Sequence, residues 1–316
     1  MERIGFCLID GYAMMSAAAA MEPLRAANLF APEPLFDLHC LSIDGTQAKS
    51  SLPAAFQTVP LDQAGTSFDK VFVVAGGDPF QCNDPRLFTW LKQLDRRGVA
   101  LGGISGGAGI LANAGLLENR RFTIHWHHLD ALRARHPKSL VERRLFVLDR
   151  DRFTCSGGTA PLDMMYALIA SKHGSNFARQ ISDWFIQTEV RASGAPQQAS
   201  VEARYGALPR PVTEAIELME SHLADPLSLD QIASLVGLSS RQLQRQFQAS
   251  FGRAAAHRYR DIRLEKAHDL ARASALPAKD IADLTGFASA SAFSTAYAKR
   301  FGEQFRQTRQ KARQAR

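Results

Sequence analysis

The chain has 316 residues, of which 46% are hydrophobic, and a formal net charge of +7. That is long and apolar enough for two globular domains of ordinary size, and it excludes a disordered or low-complexity chain. Four scattered cysteines with no Cys-x-x-Cys pair exclude a disulfide scaffold and a zinc ribbon, and no apolar run reaches the roughly 20 residues of a membrane span.

Residues 3–9, Arg-Ile-Gly-Phe-Cys-Leu-Ile, form a short apolar run ended by Asp10-Gly11 and predict a buried strand. Residues 13–21 imitate a secretory signal core. Asp10 interrupts that run, and a strand already precedes it, so a cytoplasmic protein is expected. A helix is predicted over 21–30, strands over 35–42 and 69–75, a helix over 84–97 and a strand over 99–102. A helix follows Ser105 as far as Ala114, then come a strand at 121–124, another at 152–155 and a helix at 159–170. Strands alternating with helices predict an α/β doubly wound, flavodoxin-like domain with a parallel sheet between two helical layers. It should occupy residues 1–191, and 192–211, rich in Ala, Gly, Gln and Pro, should be a linker.

In such a sheet, ligands bind beyond the carboxyl ends of the strands. Three turns fall there: Gly76-Gly77, Ser105-Gly106-Gly107 and Ser156-Gly157-Gly158. The Ser105 turn joins a strand directly to a helix, which is nucleophile-elbow geometry with backbone N–H groups facing the pocket. The candidate pocket residues are therefore Glu22, Gly77, Ser105, Gly106, His125 and Trp126. Glu22 is read at the start of the first helix, where it offers a carboxylate to a cation. His125 is equally a satisfied core histidine or a ligand contact, and Trp126 is read as partly core. His125, His127 and His128 lack a carboxylate or Cys at ligand spacing, so no metal and no cofactor is expected.

Residues 212–316 contain one unit twice. Ile232, Ala233 and Gly237 recur 49 residues later as Ile281, Ala282 and Gly286, and Leu243, Phe247 and Phe251 recur 50 later as Phe293, Tyr297 and Phe301. Each copy reads helix, glycine turn, helix, which is all-α tandem helix-turn-helix geometry, joined by a long helix over about 254–273. The second helix of such a unit enters the DNA major groove. Ser239 and Ser289 can cap these second helices, and the candidate DNA contacts are Ser239, Ser240, Arg241, Gln244, Arg245 and Gln248 in the first copy. In the second they are Ser289, Ser291, Ser294, Thr295 and Lys299. Arg and Gln read base edges, and Ser and Thr contact edges or phosphate. From Ser239 onward 16 Lys+Arg face 6 Asp+Glu, a net of +10, so residues 1–238 carry −3. Positive charge confined to one end suits a module that binds double-stranded DNA.

Residues 211–309, with the segment Gly286-Phe-Ala-Ser-Ala-Ser-Ala-Phe-Ser…Phe301-Gly, resemble the AraC/XylS family of transcription regulators. The family usually has a Pro soon after the final Phe-Gly; here the chain runs Glu303-Gln-Phe-Arg, which leaves the start of the last helix open. Glu22-Pro-Leu-Arg-Ala-Ala-Asn28, Gly103-Ile-Ser-Gly-Gly-Ala108, Ala114-Gly-Leu-Leu-Glu-Asn-Arg-Arg-Phe-Thr-Ile-His-Trp126 and Arg152-Phe-Thr-Cys-Ser-Gly-Gly-Thr159 resemble the PfpI/class I glutamine-amidotransferase-like domain. Together they resemble the GlxA-type regulators, and most closely those controlling catabolism of glycine betaine, carnitine or arginine. The resemblance implies a sensor of a small nitrogen-containing effector that acts on a promoter operator. It further implies an activator working with RNA polymerase as a homodimer, away from membranes. In enzymatic relatives a Cys occupies the elbow with a Glu and a His beside it, positions that map to Ser105, Glu22 and His125. The rival reading is an amidohydrolase or chaperone-like enzyme with Ser105 at the elbow. Against it, a serine hydroxyl is far less acidic than a thiol.

Overall fold

The computed structural model describes residues 1–274 and 276–314. The chain divides into two compact units, Met1–Gln197 and Gln198–Arg316.

The first unit runs β1 (Glu2–Leu8), α1 (Met14–Phe30), β2 (Phe36–Ser42), β3 (Val59–Pro60), α2 (Leu61–Ala64), β4 (Lys70–Ala75), α3 (Pro85–Arg96), β5 (Ala100–Ser105) and α4 (Gly107–Asn113). It continues with β6 (Arg121–Phe122), α5 (Leu129–Arg135), β7 (Leu140–Val141), β8 (Phe146–Asp149), β9 (Arg152–Cys155), α6 (Ala160–His173) and α7 (Ser175–Trp184). The sheet order is β3-β2-β1-β4-β5-β9-β8, parallel throughout except that β8 runs antiparallel to β9. β6 and β7 pair separately. The order reverses between β1 and β4, so the crevice where such folds hold ligands opens there. β4 is buried at every position but Lys70, as a strand covered on both faces must be. Phe6 and Phe72 stack at 5.5 Å between neighbouring strands, and Leu24, Met164 and Met165 from α1 and α6 close the layer over them.

Three boundaries differ from the sequence reading. Helix α1 begins at Met14, seven residues before the expected 21, because the small side chains Ser16, Ala17, Ala19 and Ala20 let it lie flat on the sheet. Strand β5 extends to Ser105. The stretch 192–211 is only partly a linker: its first six residues belong to the first unit. Helix α8 (Val201–Tyr205) follows, capped by Ser200 and anchored by the buried Val201.

The second unit continues with α9 (Arg210–Ser221), α10 (Leu229–Leu235), α11 (Ser240–Phe251), α12 (Ala255–Ala273), α13 (Ala278–Leu284), α14 (Ala290–Phe301) and α15 (Phe305–Gln314). The repeat is α10–α11 and α13–α14. Ile232, Ala233, Leu243 and Phe247 are buried in the first copy, and Ile281, Ala282, Phe293 and Tyr297 in the second. Ser228 with Gln231, and Ser239 with Gln242, close reciprocal capping boxes on α10 and α11. Helix α12, 19 residues and so about 28 Å long, carries both copies. Its Arg263 donates to the carbonyls of Thr285 (2.7 Å) and Gly286 (2.5 Å) and lies 4.5 Å over the Phe287 ring, fastening the second turn. Where the proline is missing, the Gln307 side chain accepts from the Gln304 N–H at 2.9 Å and starts α15 without it.

The two turn glycines differ in their surroundings. Both have positive φ, +72° at Gly237 and +65° at Gly286. A Cβ on Gly237 would meet nothing within 4 Å, whereas on Gly286 it would lie 2.4 Å from Pro226 Cγ and 2.5 Å from the Leu223 oxygen. Gly237→Ala should therefore cost about 1–2 kcal/mol, the strain of a left-handed alanine. Gly286→Ala should cost clearly more, because backbone must also move. Urea unfolding followed by far-UV circular dichroism measures both; equal losses would contradict the packing argument.

Candidate functional site

The Ser105 turn is held by close backbone approach. Ser105 has φ +58°, a left-handed conformation that non-glycine residues rarely adopt, and is 6% exposed. A Cβ on Gly107 would sit 1.9 Å from the Val73 oxygen, so α4 can leave β5 against β4 only with glycine there. A Cβ on Gly157 would lie 2.5 Å from Ser105 Cβ, and Gly157 has φ +86°. The turn between β9 and α6 thus presses directly on the elbow. Gly158 donates its N–H to Ser16 Oγ at 2.8 Å, and Ser16 is 1% exposed in the first turns of α1. Elements from β1, β4, β5 and β9 converge on one point.

Beside it, the His125 N–H reaches the Ser105 carbonyl at 3.5 Å. His125 Nδ1 accepts from the His127 N–H at 3.2 Å, and the His125 and Trp126 rings lie 5.4 Å apart. Both side chains are half-buried. Gln197 flanks this segment: its Oε1 accepts from the Trp126 N–H (2.7 Å), and its Nε2 is shared among the oxygens of Arg144 (2.7 Å), Thr123 Oγ1 (3.1 Å) and Ile124 (3.1 Å). Asp163, 0% exposed on α6, accepts from Gln187 Nε2, from the Arg191 N–H and from the Arg191 guanidinium, which also reaches Thr159 Oγ1. Burial pushes the Cys155 thiol up to about 12, against backbone N–H contacts from Gly157 and Ser105 that pull it the other way.

Two expected pocket residues are placed differently. Glu22 is not at a helix start. It is the ninth residue of α1, paired with Arg25 through bonds of 2.8 Å to Nε and Nη2, and half-exposed. It lies about 9 Å along the helix from Ser16, and Ser16 is the α1 residue that reaches the elbow. Ser16 was legible as the lone polar residue in Met14-Met-Ser-Ala-Ala-Ala-Ala-Met21. The Gly106 N–H is committed to the Ala75 carbonyl at 3.0 Å, so it is not offered to a ligand. Gly77, φ +60°, ends β4 ahead of Asp78, whose carboxylate caps the next turn at Phe80.

On the second unit, Arg241, Arg245 and Gln248 are exposed on α11, and Ser291, Thr295 and Lys299 on α14. The other expected contacts are engaged internally. Ser239 and Ser289 cap their helices, and Ser240 bonds Asp230. Gln244 Oε1 accepts from the Ala255 N–H at 3.0 Å, tying α11 to α12, and Ser294 bonds back to the Ala290 carbonyl at 2.7 Å. Ser291, Ser294, Thr295 and Ala298 line one wall of an open groove of about 590 Å³ whose other wall is Gln304, Phe305 and Arg306 of the α15 start.

Residues 3–171 match the model of the DJ-1/PfpI family, and residues 232–311 that of a helix-turn-helix domain. The chain is 42% identical to the HTH-type transcriptional regulator GlxA of Rhizobium meliloti, over 96% of this chain and 94% of that one. It is 38% identical to the HTH-type transcriptional regulator CdhR of Pseudomonas aeruginosa, over 94% and 88%. Among solved structures, an AraC family transcriptional regulator from Pseudomonas putida superposes with a TM-score of 0.54 at 27% identity, over 58% of this chain and all of that one.

The raised Cys155 thiol keeps its proton at every pH well below 12. At pH 8 iodoacetamide should label Cys155 in the native protein no faster than the chain unfolds, read by peptide mass mapping. Rapid labelling would show a thiolate beside Ser105.

Proposed function

The chain belongs to the DJ-1/PfpI family and is a transcription regulator with a DNA-binding second unit; from that premise we propose that its first unit senses a small metabolite and catalyses nothing. The observation that carries this is the elbow itself, which has the strained backbone of a nucleophile turn but bears Ser105. A serine there needs a base. Nδ1 of His125 is engaged by the His127 N–H at 3.2 Å and is not offered to the serine hydroxyl. Cys155 stays protonated and buried. What remains is a sheltered polar corner built from Ser16, Ser105, Gly157, His125 and Trp126.

The effector class follows from the GlxA-type resemblance: a small cationic or zwitterionic nitrogen compound such as glycine betaine, carnitine or arginine. Glu22, paired with Arg25, drops out as its carboxylate partner. Recognition of a quaternary nitrogen then rests on an aromatic face, and Trp126 beside His125 supplies one. The regulator acts as an activator through RNA polymerase, as a homodimer on paired operator half-sites. Its exposed readers are Arg241, Arg245 and Gln248 on α11 and Ser291, Thr295 and Lys299 on α14.

Arg245→Ala should weaken binding to a duplex selected from a random pool by about 1–3 kcal/mol and relax specificity at one position. Gln244→Ala should instead cost about 1 kcal/mol of stability through its lost bond to Ala255 and leave the selected sequence unchanged. Swapped outcomes would reverse the assignment of the α11 face.

Calorimetry of the full chain with each nitrogen compound tests the sensor. Ser105→Ala should retain duplex binding and give no acyl adduct to lose, Trp126→Ala should weaken a betaine selectively, and Glu22→Ala should change nothing. Binding of neutral sugars alone, or an acyl adduct on Ser105 in intact-mass spectra, would refute the reading.

A further inference from the structure

We propose that Gln197 is the clasp through which the elbow site controls the connection to the DNA-binding unit. The proposal deepens the sensor reading and rests on it. Gln197 bonds the two backbone groups that flank His125, the Ile124 carbonyl and the Trp126 N–H. His125 in turn reaches the Ser105 carbonyl through its own N–H. Any ligand that shifts the His125 peptide against the elbow therefore lengthens bonds to Gln197 on both sides at once.

Gln197 is also the last residue of the first unit. The following residues are already held by the second: the Ala199 carbonyl accepts from Arg204 Nε (3.2 Å), and Ser200 Oγ caps α8. With the clasp closed, Gln198 alone lies between the two sets of anchors. Upstream of Gln197, the next bond to the body of the unit is from the Leu145 N–H to the Ser193 carbonyl, at 2.9 Å. Beyond that, Arg191 is locked to the buried Asp163 and to Thr159. Opening the clasp therefore leaves residues 194–198 held only by the Ala195 side chain against the core and by its N–H bond to the Ala192 carbonyl (2.9 Å), with the Arg191 anchor still in place. The extended reach of the connection grows from about 3.5 Å to about 17 Å. A short tether restricts which placements of the DNA-binding unit are accessible, and a long one does not. Thr159 follows the Gly157-Gly158 turn that presses on Ser105 and bonds Ser16. Both strap anchors thus start from loops that meet at the elbow.

The local composition explains why this escapes a reading of the sequence. Ala192-Ser-Gly-Ala-Pro-Gln-Gln198 has the content of a flexible linker. The four bonds of the Gln197 amide, the bond from the Leu145 N–H to the Ser193 carbonyl and the packing of Ala195 make it part of the fold.

The test compares the full-length wild type with Gln197→Ala and Gln197→Glu. The second keeps an oxygen for the Trp126 N–H but sets a carboxylate against three oxygen acceptors. Hydrogen exchange should show the Ala195 amide, whose N–H bonds the Ala192 carbonyl, exchanging at least about tenfold faster in both variants, with β4 and β5 unchanged. Affinity for a duplex selected by the wild type should change by on the order of fivefold or more, and its response to glycine betaine, carnitine or arginine should be lost. Unchanged strap exchange would overturn the proposal. So would a released strap with wild-type duplex affinity, or a lowered melting temperature with wild-type duplex affinity, which would make Gln197 a purely structural tie. If none of the three compounds binds the wild type, the effector class is wrong, and the compound-free comparison of duplex affinities still decides on the clasp.

Discussion

The first unit is built around the need to turn the chain at Ser105 with almost no room. Strand β5 must end, the backbone must take φ +58°, and α4 must begin within contact distance of the Val73 carbonyl. A left-handed non-glycine residue costs on the order of 1–2 kcal/mol. It persists because its neighbours leave no alternative: Gly107 packs on β4, and Gly157 packs on Ser105 from the β9 side. Strain held this way makes the carboxyl ends of β4, β5 and β9 the candidate functional end of the sheet. It also explains why Ser16, rather than the distant Glu22, is drawn in: the helix turn nearest the switch point is the first one, and only a small polar side chain fits against the Gly158 N–H.

The second unit meets a different demand, that of holding two similar motifs on one rod. Ala255, Tyr259 and Ile262 of α12 pack into the core of the first copy, and Arg263 adds a guanidinium clamp on the second by satisfying the carbonyls at the end of α13 that the helix leaves unpaired. Burial lowers the Arg263 pKa from its usual value, yet an arginine keeps its charge far above neutral pH, so the clamp is permanent. The two exposed faces are chemically unequal. α11 presents Arg241 and Arg245, long side chains able to reach base edges or phosphates, while α14 presents Ser291 and Thr295 ahead of a long cation, Lys299. On the proposed DNA-binding reading, Ser291 and Thr295 make contact only if α14 sits deep in the groove, whereas Lys299 reaches from further out.

The pattern of what the sequence revealed follows from range. Elements with local signals were legible: the apolar run of β4, the Gly-bounded helices of the repeat, the Ser239 cap. So was the elbow, because Ser105-Gly106-Gly107 sits between a strand and a helix. Misplaced features depended on distant partners. Gln244 looks like a DNA reader by helix position, and only the arrival of Ala255 from α12 shows that its oxygen is occupied. Gly106 looks like a donor until the Ala75 carbonyl is found against it. Helix α1 was read as starting late because a run of alanines carries no amphipathic period, and with it Glu22 was put at the wrong end.

A ligand can switch the protein only to the extent that it distinguishes two states. Around the elbow, most of the backbone cannot differ between states, since Gly107 and Gly157 are already at closest approach. On the proposed sensor reading the freedom to respond falls to the remaining side, residues 123–128, where a single turn of 3₁₀ helix (Trp126–His128) lies outside the sheet. In the proposed sensor the rigid walls would fix where a ligand sits, and the soft wall would register that it is there. Coupling of this kind is reciprocal: whatever loosens the soft wall from the rest of the unit must change the affinity for the effector by the same factor by which the effector loosens it. A rigid elbow with one compliant side would thus give the proposed sensor its affinity and its signal from separate parts of the same pocket.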